Sequence, residues 1–166
     1  QIRYRYKTGD IQITGAALWQ SQYLSQGPEG KSQKYIKNSC VPEIYAGIDY
    51  KHNGLLVGAG IEMVSLTPRT QTTVEDKIYK VSERITSLSY EVHMKYNTAK
   101  WFVAAKSVLG SNLTPTSMLG GYGVKSVDPR TGEQEYSPNR NSSSWINIVY
   151  GKTWKPALFF GYMKNL

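Results

Sequence analysis

The sequence predicts an all-β chain: a transmembrane antiparallel up-and-down β-barrel, with about eight strands present in one β-barrel region spanning residues 1–166. Three observations predict it. Tight turns near residues 8–10, 52–54, 97–99 and 152–155 alternate with long polar stretches near 25–41, 68–83 and 112–143. The segments between them alternate apolar and polar side chains with the period of two that puts successive residues on opposite faces of a strand. Tyrosine is enriched, 13 Tyr beside 4 Trp and 3 Phe, and an apolar ring with a polar tip suits the boundary between hydrocarbon and water. Short turns at one rim and long loops at the other are the wiring of outer-membrane barrels, whose periplasmic turns are short and external loops long.

The strands follow in order. The first, Ile2–Lys7, sets Ile2, Tyr4 and Tyr6 against Arg3, Arg5 and Lys7. After the turn at Gly9, the second carries Ile11, Ile13, Gly15, Ala17 and Trp19 on one face and Gln12, Thr14, Ala16, Leu18, Gln20 and Gln22 on the other. The third, about 42–51, opposes Ile44, Ala46, Ile48 and Tyr50 to Glu43, Tyr45, Asp49 and Lys51. The fourth, about 55–67, opposes Leu55, Val57, Ala59, Ile61 and Met63 to Gly58, Gly60 and Glu62. The fifth, about 84–96, is the most regular, with Leu88, Tyr90, Val92, Met94 and Tyr96 against Ser87, Ser89, Glu91, His93 and Lys95. In the sixth, about 100–111, Trp101, Val103, Ala105 and Leu109 oppose Ala104 and Lys106. The seventh, about 144–151, sets Ile146, Ile148 and Tyr150 against Asn147. The eighth, about 156–165, has no assignable phase, because Leu158-Phe159-Phe160 is apolar on both faces. The long stretches read as solvated external segments. Within the third of them, Asp128-Pro129-Arg130-Thr131-Gly132-Glu133 is a strong reverse-turn signal at the tip of a small hairpin.

Alternation alone does not say which face meets solvent. A soluble sheet turns its charged face out and its apolar face in, whereas a membrane barrel has a polar lumen and an apolar outer wall. The aromatics point to the second arrangement. Tyr6, Tyr50, Tyr96, Trp101, Tyr150 and Trp154 all lie within a few residues of the tight turns, as one interfacial girdle would require. Trp19, Tyr23, Trp145 and Tyr162 lie toward the long-loop ends, as the opposite girdle. The expected lumen then carries Arg3, Arg5, Lys7, Lys51, Lys95 and Lys106 facing Glu43, Asp49, Glu62 and Glu91, with His93 among them. A charge facing lipid would cost about 2–4 kcal/mol at mid-bilayer. The excess of bases, led by the Arg3/Arg5 ladder, implies a weak anion preference through the local field in a confined aqueous path.

Composition excludes several classes. No run of 18 apolar residues is present to form a transmembrane helix. The net charge of +8 is spread over turns, loops and alternate strand positions, with no basic helix or RNA-binding motif, so nucleic acid is not an expected partner. The single cysteine, Cys40, leaves neither an internal disulfide nor a cysteine metal site. No nucleophile in a recognisable setting, phosphate loop, metal-binding His pair or nucleotide fingerprint appears, so neither catalysis nor a cofactor is expected. The chain opens directly on a strand and closes without the terminal aromatic of many outer-membrane barrels, and so reads as the interior of a longer protein.

The hairpin Tyr4-Arg5-Tyr6-Lys7-Thr8-Gly9-Asp10 and the Gly-rich strand Val57-Gly58-Ala59-Gly60-Ile61-Glu62 are two of three informative stretches. The third is the closing Gly151-Lys152-Thr153-Trp154 through Phe160-Gly161-Tyr162-Met163-Lys164-Asn165-Leu166. Together they resemble Gram-negative outer-membrane porins, in particular the porin-like proteins of Bacteroidetes. The resemblance implies a 16–18-stranded barrel, often a trimer, seated among outer-membrane lipid and lipopolysaccharide in the bacterial outer membrane. It also implies one long loop, 112–143 or 68–83, folded inward to narrow the pore. The expected function is a passive diffusion channel for small hydrophilic solutes and ions. Two alternatives remain open from the sequence. One is a small non-conducting outer-membrane barrel acting in structure or adhesion through its loops. The other is a soluble lipocalin-like ligand-binding barrel.

Overall fold

A computed structural model describes residues 1–19, 26–113 and 119–166. Its strands are β1 (Ile2–Thr8), β2 (Ile11–Leu18), β3 (Glu43–His52), β4 (Leu55–Leu66), β5 (Gln71–Val74), β6 (Lys77–Lys80), β7 (Ile85–Asn97), β8 (Trp101–Ser111), β9 (Tyr122–Val127), β10 (Gln134–Pro138), β11 (Arg140–Tyr150) and β12 (Ala157–Asn165). One short helix, α1 (Lys34–Ser39), lies between β2 and β3. Eight strands form a single antiparallel sheet in the order β1-β2-β3-β4-β7-β8-β11-β12, while β5–β6 and β9–β10 are separate hairpins. The sheet is an up-and-down meander, but it is open. β1 and β12 are its two edges and do not pair with each other, so the eight strands make an open wall and not the closed ring of a barrel.

The tight turns lie at one rim. Asn53 and Gly54 both have positive φ, +44° and +80°, the two-residue geometry whose twist matches antiparallel strands. Gly54 is required there, since an added Cβ would stand 2.3 Å from the Asn97 carbonyl oxygen. The register steps along the sheet in a regular way. Tyr6 pairs with Ile13 and Ile13 with Ile48, two residues short of Tyr50. Tyr50 pairs with Val57 and Val57 with Met94, two residues short of Tyr96. Tyr96 pairs with Val103, two residues beyond Trp101, which faces Tyr150. The turn-rim aromatics therefore climb the hydrogen-bond rows by one step per hairpin, the stagger that tilted strands impose on residues at one height.

At the other rim the long connections differ from the solvated loops that the sequence predicts. Residues 25–41 contain α1, residues 68–83 contain the β5–β6 hairpin, and β11 already begins at Arg140, inside the predicted 112–143 loop. Residues 114–118 of that loop lie outside the described residues, as do Gln20, Gln22 and Tyr23. The connections pack on one another. Tyr35 and Ile36 of α1 are buried with Val64 and Leu66 at the end of β4, and Ile85 is buried with Tyr122 and Tyr136 of the β9–β10 hairpin. Their amphipathic pieces cover the long rim because the eight-stranded sheet leaves its upper strand ends otherwise open. The apolar core of the described residues thus sits at this rim, and no layer covers the apolar face of the sheet below it.

Two face assignments are resolved differently from the sequence reading. In β12, Leu158, Phe160 and Tyr162 share the apolar face, while Phe159 pairs with Asn147 on the polar one. Trp145 is not part of a lipid-facing girdle. It pairs with Lys106 and Gly161 and so belongs to the polar face, as its alternation with Ile146 and Ile148 requires. Trp19 and Tyr162 are exposed at the long-loop side.

Candidate functional site on the sheltered face

Every residue expected to line a lumen falls on one face by register. Lys7–Gln12–Asp49–Gly58–His93–Lys106–Trp145 form one cross-strand row. Arg5 and Glu91 lie in the next row, Arg3 and Glu62 in the one beyond. Lys51 and Lys95 share Leu56 as a partner toward the turn rim, and Glu43 pairs with Leu18 toward the loop rim. The girdle residues Tyr6, Tyr50, Tyr96, Trp101 and Tyr150 are on the opposite face, with the Trp101 and Tyr150 rings 4.5 Å apart, and Trp154 is exposed in the last turn.

Exposure distinguishes the two faces. Val92 on the apolar face is 57% exposed. The side chains of its neighbours on the polar face, Glu91 and His93, are only 18% and 26% exposed. At the middle of the sheet the charged face is the more sheltered one, while Arg3, Arg5, Lys7, Lys51 and Lys95 toward its edge and turn rim are exposed.

Glycines on β4 make its ionic network possible. His93 Nε2 meets Asp49 Oδ1 at 3.0 Å, reaching across Gly58, where an added Cβ would stand 2.4 Å from the carboxylate and 2.5 Å from the imidazole. Asp49 also accepts from Gln12 Nε2 at 3.2 Å. One row away, the Tyr45 side chain occupies the space beside Gly47 and Gly60, and its hydroxyl donates to Glu91 Oε1 at 2.9 Å. Glu91 is further paired with Lys106, and His93 Nδ1 stands 3.9 Å from it. β2, β3, β7 and β8 are thus tied by side chains, those of β3 and β7 meeting across the glycine strand β4. Among the described residues, Arg3, Arg5, Lys7, Lys51 and Lys95 join no ion pair; three of the five are on β1, and Lys95 stands over the Phe102 ring at 5.3 Å. A cavity of about 390 Å³ runs along the β1 side, lined among others by Arg3, Arg5, Glu43, Asp49 and His93.

At the loop rim, a second ionic cluster fixes the connections. Glu83, fully buried, accepts from Arg69 Nε at 2.8 Å and Nη2 at 2.5 Å, from the Gln134 amide at 2.7 Å and from the Tyr136 hydroxyl at 2.8 Å. Arg69 Nη2 also donates to the Gly132 carbonyl at 3.0 Å, and Thr72 donates to the Thr131 carbonyl. Burial opposes ionisation of Glu83, but the bonds from Arg69, Gln134 and Tyr136 outweigh it and hold its carboxyl below the usual carboxylate range. Burial and the bond to Glu83 push the Tyr136 hydroxyl up. The sequence reading missed this clasp, because nothing local marks Arg69, Glu83 and Tyr136 as neighbours.

Among the described residues, no group of three or more His, Cys, Asp or Glu side chains is placed to hold a metal ion. What the sheltered face offers chemically is a fixed, hydrogen-bonded array of charges beside small residues, with a surplus of bases outside ion pairs, most of them on β1. No protein-family model, no curated protein and no solved structure matches this chain, so the resemblance read from its motifs has no relative to support it.

Proposed function

We propose that the sheet is part of the wall of a transmembrane β-barrel in a bacterial outer membrane. In this reading the protein is a porin, a passive channel for small hydrophilic solutes and ions. One observation carries the reading: apolar side chains predominate on one exposed face of the sheet, while the charges occupy the other, which is the more sheltered at the middle of the sheet. Monomeric soluble proteins rarely expose contiguous apolar patches beyond a few hundred Å², and a soluble sheet would reverse the two faces. Lipid supplies the missing apolar layer. β3, β4, β7, β8, β11 and β12, of 10, 12, 13, 11, 11 and 9 residues, reach the ~9–11 residues that a tilted strand needs to cross a bilayer, while β1 and β2, of 7 and 8, are shorter. The staggered aromatic row suits a tilted interface. Within a bilayer the open edges β1 and β12 must be paired, because an unpaired backbone group in hydrocarbon costs several kcal/mol.

The mechanism needs no chemistry. Solutes diffuse down their gradients past a wall on which Lys106 compensates Glu91 and His93 is hydrogen-bonded to Asp49. Arg3, Arg5 and Lys7 leave a positive local field that raises the concentration of anions. A trimer is consistent with this class of barrel. The test is single-channel conductance of the natively extracted protein in a planar bilayer under a salt gradient. Large ohmic steps with an anion-selective reversal potential are expected. Silence from correctly folded protein would overturn the pore and favour a non-conducting barrel working through its loops.

A further inference from the structure

Along the sheltered face the chemistry changes at one seam. From β1 to β7 the middle of the face is ionic, polar or small apart from Tyr45, with apolar residues such as Leu18 and Leu56 toward the rims. Beyond Lys106 it carries no charged residue in β8, β11 or β12. Phe102, Val108, Trp145, Phe159 and Met163 replace the charges, with serine and asparagine between them. The Trp145 and Phe159 rings stack at 6.2 Å and 29°. A cavity of about 460 Å³ lies on the seam. Tyr45, Glu62, Glu91 and Lys106 line its ionic side, and Val108 and Trp145 line its apolar side. Ser89 and Ser143 also line it.

We propose that this cavity is a binding subsite for a neutral saccharide of one or two pyranose rings. It rests on the reading of this face as a lumen wall for the route by which a solute arrives, while the binding chemistry stands on the cavity itself. Its volume falls within the roughly 300–1,000 Å³ usual for small-ligand sites. A pyranose has an apolar C–H face and a rim of hydroxyls. The indole of Trp145 suits the first, since a flat, polarisable ring packs well on such a face. Carboxylates, an ammonium and serine hydroxyls suit the second, because each sugar hydroxyl both donates and accepts. Glu91 and Lys106 neutralise one another, so the pair offers hydrogen bonds without selecting an ion. Glu62 joins no ion pair among the described residues and is the acceptor available to a hydroxyl. A simple inorganic ion would gain nothing from the aromatic half of the seam.

The test is calorimetric titration of the detergent-folded full-length protein with maltose, cellobiose and the acyclic sorbitol, with conductance recorded on the same preparation. Saturable binding of the disaccharides but not of sorbitol is expected, weakened at least about ten-fold by Trp145→Ala and by Glu62→Gln. Should Trp145→Ala fail to fold, Glu62→Gln and Trp145→Phe carry the same comparison, the latter retaining part of the affinity. No saturable binding in protein that conducts would overturn the subsite and leave the pore reading intact. Binding undiminished by both substitutions would overturn it by locating the saccharide elsewhere. Saccharide binding lost in these variants, in protein that forms no pore, would uphold the subsite and remove the pore.

Discussion

Replacing Glu83 with Ala isolates the energetics of the loop rim. Four hydrogen bonds converge on its carboxylate, at 2.8, 2.5, 2.7 and 2.8 Å, and the side chain is fully buried. The substitution leaves the largely buried Arg69 guanidinium, the Gln134 amide and the Tyr136 hydroxyl without their acceptor. Removing one partner of a buried pair costs about 3–5 kcal/mol, which corresponds to about two to three and a half orders of magnitude in an opening equilibrium. Hydrogen exchange at the Gln134 amide, which donates directly to Glu83, reads that equilibrium. We expect its protection to fall by about that factor while amides in the middle of β7 are unaffected. The same clasp has a pH dependence of definite sign. The Glu83 carboxyl is depressed in the folded state, so its contribution is fully present above the unfolded carboxylate value of about 4.3 and is lost as pH falls through the lower folded value. Protection at Gln134 should therefore be flat from neutral pH down to that range and collapse below it, after allowance for intrinsic exchange. Glu83→Gln should remove this step. Unchanged protection in Glu83→Ala would refute the clasp as the element that orders the loops.

Three further outcomes follow from the sheet. Gly58→Ala should leave the fold intact, since the atoms its Cβ displaces are the flexible ends of Asp49 and His93, but should cost about 1.5–3 kcal/mol for the lost charged hydrogen bond. In a double-mutant cycle of unfolding free energies, Asp49→Asn should then add almost nothing, and simple additivity would count against the pair. Replacing Arg3 and Arg5 with Ser leaves four bases facing four acids on the sheltered face, so the reversal potential should move to near zero selectivity. An unaltered anion preference would place the filter elsewhere. Val92→Lys should destabilise the protein in lipid vesicles by about 2–4 kcal/mol, whereas His93→Lys, one residue later, should cost less, and equal costs would contradict the assignment of faces.

How much of this was legible in the sequence depended on local pattern. β1, β3 and β7 announce their faces because charged and apolar residues alternate without interruption, and the Asn53-Gly54 turn announces itself by composition. β12 could not be phased, because Leu158, Phe159 and Phe160 are apolar in succession, and only the pairing with β11 separates them. The distance of Trp145 from the rim suggests a girdle, but its alternation with Ile146 and Ile148 puts it on the other face. The β5–β6 hairpin turns on Glu75 and Asp76, both with positive φ, without a glycine to signal it. Six-residue α1 is too short to show helical periodicity. The Asp49–His93 and Arg69–Glu83 pairs join residues 44 and 14 apart, and only the fold brings them together. The sequence reading did name Asp49, Glu91, His93 and Lys106. Gly58 and Gly60 stand out in the sequence, but only the structure shows the side chains of Asp49, His93 and Tyr45 reaching across them.

The central claim is that the apolar face meets lipid and the charged face meets water. Nitroxide labels placed singly at residues 88–95 of β7, in the protein reconstituted in vesicles, test it most directly. Accessibility to oxygen, which concentrates in hydrocarbon, should peak at 88, 90, 92 and 94, and accessibility to a water-soluble nickel chelate at 89, 91, 93 and 95. The opposite phase, or uniform access of the chelate to both sets, would contradict the account.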